Sequence, residues 1–180
     1  MKQNYDDLIA FHGHSCPGLA IGYRMSKAAL DFLASERAAD EELVAIVENN
    51  ACGVDALQCL TGCTFGKGNL IFKDYGKHVY TLYNRKTGKG VRVVSGHRNV
   101  PEAVRKDREQ YIKWLLTAPQ EQLVTLREIR IEEPEPARIM KSVECAFCGE
   151  SVMETRVRDL NGQIACIPCW EERVKDQSGT

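Results

Sequence analysis

Apolar residues crowd one early stretch, with Leu19, Ile21, Met25, Ala28, Ala29, Leu30, Phe32 and Leu33 covering most sides of a helix over 17–34. That pattern predicts a buried helix rather than a surface one, and Gly22 within it would admit a close neighbour. The polar stretch 35–42 ends it. Residues 43–47 are short and β-branched, which predicts a buried strand. A short helix is predicted over 54–60, after Cys52-Gly53. Strands are predicted over 70–72, 78–83 and 91–94, the last two joined by a turn-rich segment. Pro101 opens a second long helix, with Val104, Arg108, Tyr111, Ile112 and Leu115 on one stripe, ending before Pro119. Imperfect alternation over 126–131 predicts a fifth, partly exposed strand. Helices and strands mix without a βαβ repeat, so the expected fold is α+β, a core of long helices packed on a sheet. The run Glu132-Glu133-Pro134-Glu135-Pro136 continues neither element and marks a linker. The expected organisation is a core domain over 1–131, a linker over 132–142 and a small domain over 143–180.

Composition narrows the function classes. A chain of 180 residues can bury roughly 70% of its unfolded surface in one core, with a small appendage besides. A net charge of −1 gives no general attraction to nucleic acid or acidic membranes. The longest uninterrupted aliphatic run, 43–47, falls far short of the ~20 residues of a membrane helix. The first residues lack the basic-then-apolar layout of a secretory signal, so a cytoplasmic protein is expected. Eight cysteines in such a chain, including two CxxC pairs, point to metal or redox thiols rather than structural disulfides.

Cys145-Ala146-Phe147-Cys148 and Cys166-Ile167-Pro168-Cys169 are separated by 17 residues. The spacing predicts a zinc-ribbon or treble-clef-like domain in which all four sulfurs reach one tetrahedral ion. Asp159-Leu160-Asn161-Gly162 carries a hairpin-turn signal between two strand-like stretches, and a short helix is expected from Cys169. Four ligands close the coordination sphere, so this zinc should be structural. From Lys141 onward five Lys/Arg stand against seven Asp/Glu, a balance of −2, and no basic stripe invites nucleic acid. A protein partner or a stapled dimer arm suits it better.

Near the N-terminus stands Phe11-His12-Gly13-His14-Ser15-Cys16-Pro17-Gly18. In an extended segment His12, His14 and Cys16 would share a face, and Pro17 would start a helix whose positive end favours a Cys16 thiolate. Two imidazoles and a thiolate are ligand chemistry or nucleophile chemistry. A second stretch, from Ala51-Cys52-Gly53-Val54-Asp55-Ala56 through Gln58-Cys59 to Gly62-Cys63-Thr64-Phe65-Gly66-Lys67-Gly68, sets cysteines beside glycines on both sides of the short helix. Its glycines fall one residue short of a phosphate-binding loop and lack the Ser/Thr after Lys67. Asp55 could orient a histidine, act as a base or cap the helix. Gln58 could bind substrate or serve structurally, and Lys67 could steer an anion or sit solvated in a turn. Cys59 reads as core, and His78 and His97 as unrelated to the site.

Together, His12-Gly13-His14, Cys16-Pro17-Gly18, Cys52 with Asp55-Ala56 and Gln58, Gly62-Cys63-Thr64, Gly66-Lys67, Asn69-Leu70 and Asp74-Tyr75-Gly76-Lys77 resemble the FmdE family of formylmethanofuran dehydrogenase components, in its longer, zinc-finger-bearing form. The resemblance implies an intertwined homodimer and a second transition metal, zinc foremost, in the core. Carried over residue by residue, it implies His14, Cys16 and Cys63 as ligands, with His12 and Cys52 as alternatives, and Cys16, Asp55 and Cys63 as the candidate catalytic groups. It also implies association with a molybdenum or tungsten dehydrogenase. Three functions are compatible: a metal-dependent enzyme or its accessory acting on a one-carbon or small anionic substrate, an adaptor working through the zinc module, and a metal sensor or delivery protein.

Overall fold

The computed structural model describes residues 3–96 and 100–178, and His97 lies outside them. The chain divides into two compact units, Met1–Ala137 and Arg138–Thr180.

The first unit is α+β. Its sheet has strand order β2-β1-β3-β4-β5, built from β1 (Leu43–Val47), β2 (Leu70–Phe72), β3 (Val79–Asn84), β4 (Lys89–Ser95) and β5 (Val124–Ile129). β1 and β2 run parallel, and the other neighbours are antiparallel. The helices are α1 (Tyr5–His12), α2 (Pro17–Phe32), α3 (Gly53–Thr61), α4 (Glu102–Lys106), α5 (Arg108–Thr117) and α6 (Gln120–Leu123). Ala45, Val47, Tyr80, Leu82, Val91 and Val93 form one core with Met25, Ala28 and Ala29 of α2, with Leu115 of α5 and Leu123 of α6 completing it. Alternation along the strands puts these residues on one face. Arg24 of α2 donates to the carbonyls of Leu115 (2.9 Å) and Ala118 (2.8 Å), satisfying the last turn of α5.

Two expectations are corrected. The stretch before Cys16 is not extended. Asn4 and Asp7 form a capping box that starts α1, and Gly13, at φ 96°, ends it in the left-handed conformation. His12 therefore sits in a helix's last turn, and a tight turn rather than a strand face brings it to Cys16. The single long helix after Pro101 is two helices. Asp107 is extended, and its carboxylate accepts from the N–H groups of Glu109 and Gln110, capping α5 and stopping α4.

α2 and α3 cross at unusually short range. A Cβ on Gly22 would lie 2.3 Å from the Gly53 Cα, and one on Gly53 would lie 2.4 Å from the Tyr80 hydroxyl. No larger side chain fits at Gly22 without moving backbone. This crossing carries Cys52, just before α3, to the first turn of α2.

Residues 133–137, which the sequence marks as linker, are held to the first unit. Arg85 donates to the carbonyls of Pro134 and Glu135, and Ala137 N–H donates to the Glu41 carboxylate.

The second unit pairs β6 (Ser142–Glu144) with β7 (Ser151–Met153), then β8 (Val157–Leu160) with β9 (Gln163–Cys166) through the Asn161-Gly162 turn. α7 (Ile167–Ser178) follows and contains Cys169. No helix among the described residues is long and apolar enough to cross a membrane.

Candidate metal centres

α1 delivers His12, its terminal turn His14, and the start of α2 Cys16. One ligand atom from each lies within 4.8 Å of the other two. The His12 and His14 rings approach to 4.6 Å between centroids, and Cys16 Sγ stands 3.9 Å from His12 Nε2. Cys16 caps α2, its sulfur accepting from Leu19 N–H at 3.3 Å. Burial rises from exposed His14 through half-buried His12 to buried Cys16, so the group opens to solvent on its His14 side.

Of the three roles open to Asp55, the structure removes the cap: α3 has no side-chain cap hydrogen bond. Asp55 Oδ2 is instead 2.7 Å from His12 Nδ1, across 43 residues of sequence. With the carboxylate accepting from Nδ1–H, Nε2 keeps its lone pair on the side facing Cys16. This carboxylate–imidazole arrangement is the usual outer support of a metal-bound histidine. Gln58 donates to Asp55 Oδ1 at 3.4 Å and accepts from Phe65 N–H at 3.3 Å, so it braces the carboxylate.

Cys52 lies beside Cys16 without joining the three-atom group. Burial and the neighbouring Cys16 sulfur push its thiol above the ordinary range. Cys63 is elsewhere: the nine residues of α3, about 13 Å of helix, and then Gly62 stand between it and Cys52. It is fully buried in the main apolar core, and desolvation raises its thiol to about 11. The ligand and catalytic roles that the resemblance implied for Cys63 therefore find no partner at His12, His14 and Cys16. Gly62 ends α3 at φ 73° and turns Cys63 inward.

Lys67 donates to the Asp40 carbonyl at 3.1 Å, and Asn69, buried, donates to the carbonyls of Asp40 and Leu43. Both secure the loop into β1. Cys59 packs against the smaller apolar cluster around Leu8 and Leu19, and His78 is exposed. Sequence reading missed Tyr80, whose buried hydroxyl reaches Gly53 between Cys52 and Asp55; burial first, then the charge of Asp55, keeps it protonated well above the usual phenol range. A tyrosine in an apolar strand carries no signal of this. It also missed Tyr5, whose hydroxyl is 3.0 Å from Ser15 Oγ. Beside Ser15, on the α5 side, runs an open groove of 640 Å³ lined by Tyr5, Arg108, Ile112 and Leu116.

In the second unit, the Cys145, Cys148, Cys166 and Cys169 sulfurs all lie within 4.8 Å of one another. Cys148 and Cys166 are 3.9 Å apart, close to the ~3.8 Å edge of a tetrahedron with ~2.3 Å zinc–sulfur bonds. N–H groups of Cys148, Cys166 and Phe147 hold the Cys145 thiol down to about 6, whereas the adjoining sulfurs push Cys169 up to about 12. Uncompensated negative charge on neighbouring sulfurs is what a cation would relieve. Arg173 stacks 4.2 Å above the Phe147 ring and donates to the Cys169 carbonyl, closing α7 over this cluster.

Comparisons with known proteins agree with this architecture. Residues 11–125 match the family described as "FmdE, Molybdenum formylmethanofuran dehydrogenase operon". The crystal structure of a tungsten formylmethanofuran dehydrogenase FmdE-like protein from Syntrophus aciditrophicus superposes with a TM-score of 0.72 at 27% identity, covering 94% of each chain. A protein of Archaeoglobus fulgidus named as a probable S-adenosyl-L-methionine-binding protein is 36% identical over 177 residues, covering 83% of this chain and 48% of that one. The chain thus spans about half the length of that curated relative. The match over 11–125 and the fold shared along nearly the whole chain together place this chain in the FmdE family.

Proposed function

We propose that the protein holds a transition-metal ion in its core through His12, His14 and Cys16, and a structural zinc through Cys145, Cys148, Cys166 and Cys169. The observation that carries the core site is Asp55 behind His12, because a carboxylate fixing an imidazole tautomer is how proteins orient a metal ligand. Mixed imidazole and thiolate donors suit zinc among the late transition metals. Three protein donors leave a fourth position, where a bound ion would polarise a water or small anion. Asp55 would keep the proton on His12 Nδ1, and Gln58 would hold Asp55 in place.

Asp55→Asn is expected to lower affinity for the core ion about 10–100-fold and to leave the ribbon ion unaffected, as read by chelator competition. Unchanged affinity would detach Asp55 from the site.

The family description and the Syntrophus relative support a role as an accessory of a molybdenum or tungsten formylmethanofuran dehydrogenase; that the protein is cytoplasmic and homodimeric is part of the same proposal. The acidic balance of the ribbon supports a protein rather than a nucleic acid as its partner. Native affinity purification from cells making such an enzyme should recover its subunits with the protein. Recovery of the protein alone would sink the accessory role.

A further inference from the structure

Two sulfurs approach Gly18. A Cβ built on it would lie 3.8 Å from Cys16 Sγ, 3.7 Å from Cys52 Sγ and 3.1 Å from the Cys52 Cβ. Glycine leaves that space empty, and the tight α2–α3 crossing at Gly22 and Gly53 holds the two cysteines across it. Cys59 shares the small apolar cluster with Cys16 and Cys52, yet the three atoms nearest the Gly18 Cβ position all belong to Cys16 and Cys52, and Cys63 lies in the main core. Cys52 stands apart from the His12, His14 and Cys16 group yet against one of its members.

We propose that Cys16 and Cys52 form a thiol–disulfide couple oxidised by hydrogen peroxide, with Cys52 the resolving thiol rather than a fourth metal ligand. Cys16 sulfur attacks one peroxide oxygen; the O–O bond breaks, leaving a sulfenic acid on Cys16, and a water departs carrying the thiol proton. Cys52 sulfur then attacks Cys16 sulfur and expels the sulfenic oxygen as a second water. Two thiols and one hydrogen peroxide give one disulfide and two waters; sulfur is oxidised and peroxide oxygen reduced. The disulfide withdraws Cys16 as a donor, so oxidation and occupation of the core site exclude each other. Only this last consequence rests on the core-metal reading.

The test treats the full chain, with its ribbon zinc-loaded, with hydrogen peroxide, then alkylates and digests it with trypsin. Cys16 falls in the peptide 3–24 and Cys52 in the peptide 38–67, which also holds Cys59 and Cys63. The expected product is a cross-link of these peptides, two hydrogens lighter than their sum, assigned by fragmentation to Cys16 and Cys52. The link should be lost in Cys52→Ser, lost in Gly18→Ala while both thiols remain, and retained in Cys59→Ser. Zinc added to fill the core should suppress it, and Cys52→Ser should still bind that ion. Peroxide that carries Cys16 to sulfinic acid without a link, or a link to Cys59 or Cys63, overturns the couple. Loss of the core ion in Cys52→Ser overturns the resolving role and makes Cys52 a ligand. Absence of any core ion in the untreated protein, with the link still formed, would instead count against the metal reading alone.

Discussion

Cys166→Ser, or removal of zinc by a strong chelator, is expected to unfold the second unit and leave the first standing. The reason is the near absence of an apolar core there. Among its described residues only Cys145, Ala165 and Cys166 are buried, and two of those three are sulfur donors. Its two-stranded ladders expose most of their side chains, and isolated ladders of that size are marginal in water. A structural zinc contributes on the order of 10 kcal/mol to such a module, more than its remaining contacts can replace. Hydrogen exchange reads the outcome: amides of β6 through α7 should lose protection, while those of β1, β3 and β4 keep it. Protection of β8 and β9 that survives chelation would show that the module folds by packing and that its cysteines serve another purpose.

Cys16→Ser should abolish core-ion binding without unfolding the protein. Both halves follow from the position of Cys16 at the start of α2. Its sulfur accepts the Leu19 N–H, and a serine hydroxyl is among the best acceptors at a helix N-cap, so the helix start is preserved. The soft donor is lost, and two imidazoles alone, one of them exposed, make a far weaker site. Elemental analysis should fall from two ions per chain to one, with little change in Tm. A variant that unfolds would make Cys16 a structural cap, and one that keeps both ions would remove it from the ligand set.

The strongly patterned parts of the fold are legible in the sequence. α2 is apolar nearly all round, β1 is a short β-branched run, and the CxxC pairs bound their module by spacing alone. What escapes depends on single polar residues whose roles are decided by conformation. Asn4 and Asp7 cap α1, a helix of 8 residues with one fully buried side chain, Leu8, and little pattern to announce it. Asp107 fits a helix surface as well as it fits a cap, so the break between α4 and α5 leaves no trace in the hydrophobic stripe. Alternation groups His12, His14 and Cys16 for a geometric reason that does not hold, since a helix end and a turn gather them. Motif order can suggest Cys63 for the same site, but it cannot say which end of α3 meets α2. The contact at Gly22 and Gly53 selects the Cys52 end. The pairing of Asp55 with His12 is set by that same crossing and has no local signature.

On the proposed reading the turn between α1 and α2 gathers His12, His14 and Cys16 around a cation. Anomalous diffraction from crystals of the full chain grown with saturating zinc, recorded on both sides of the zinc edge, would locate that ion. Two peaks per chain are expected, one among the four ribbon sulfurs and one bounded by His12, His14 and Cys16. A peak in the ribbon with none beside Cys16 would contradict that reading.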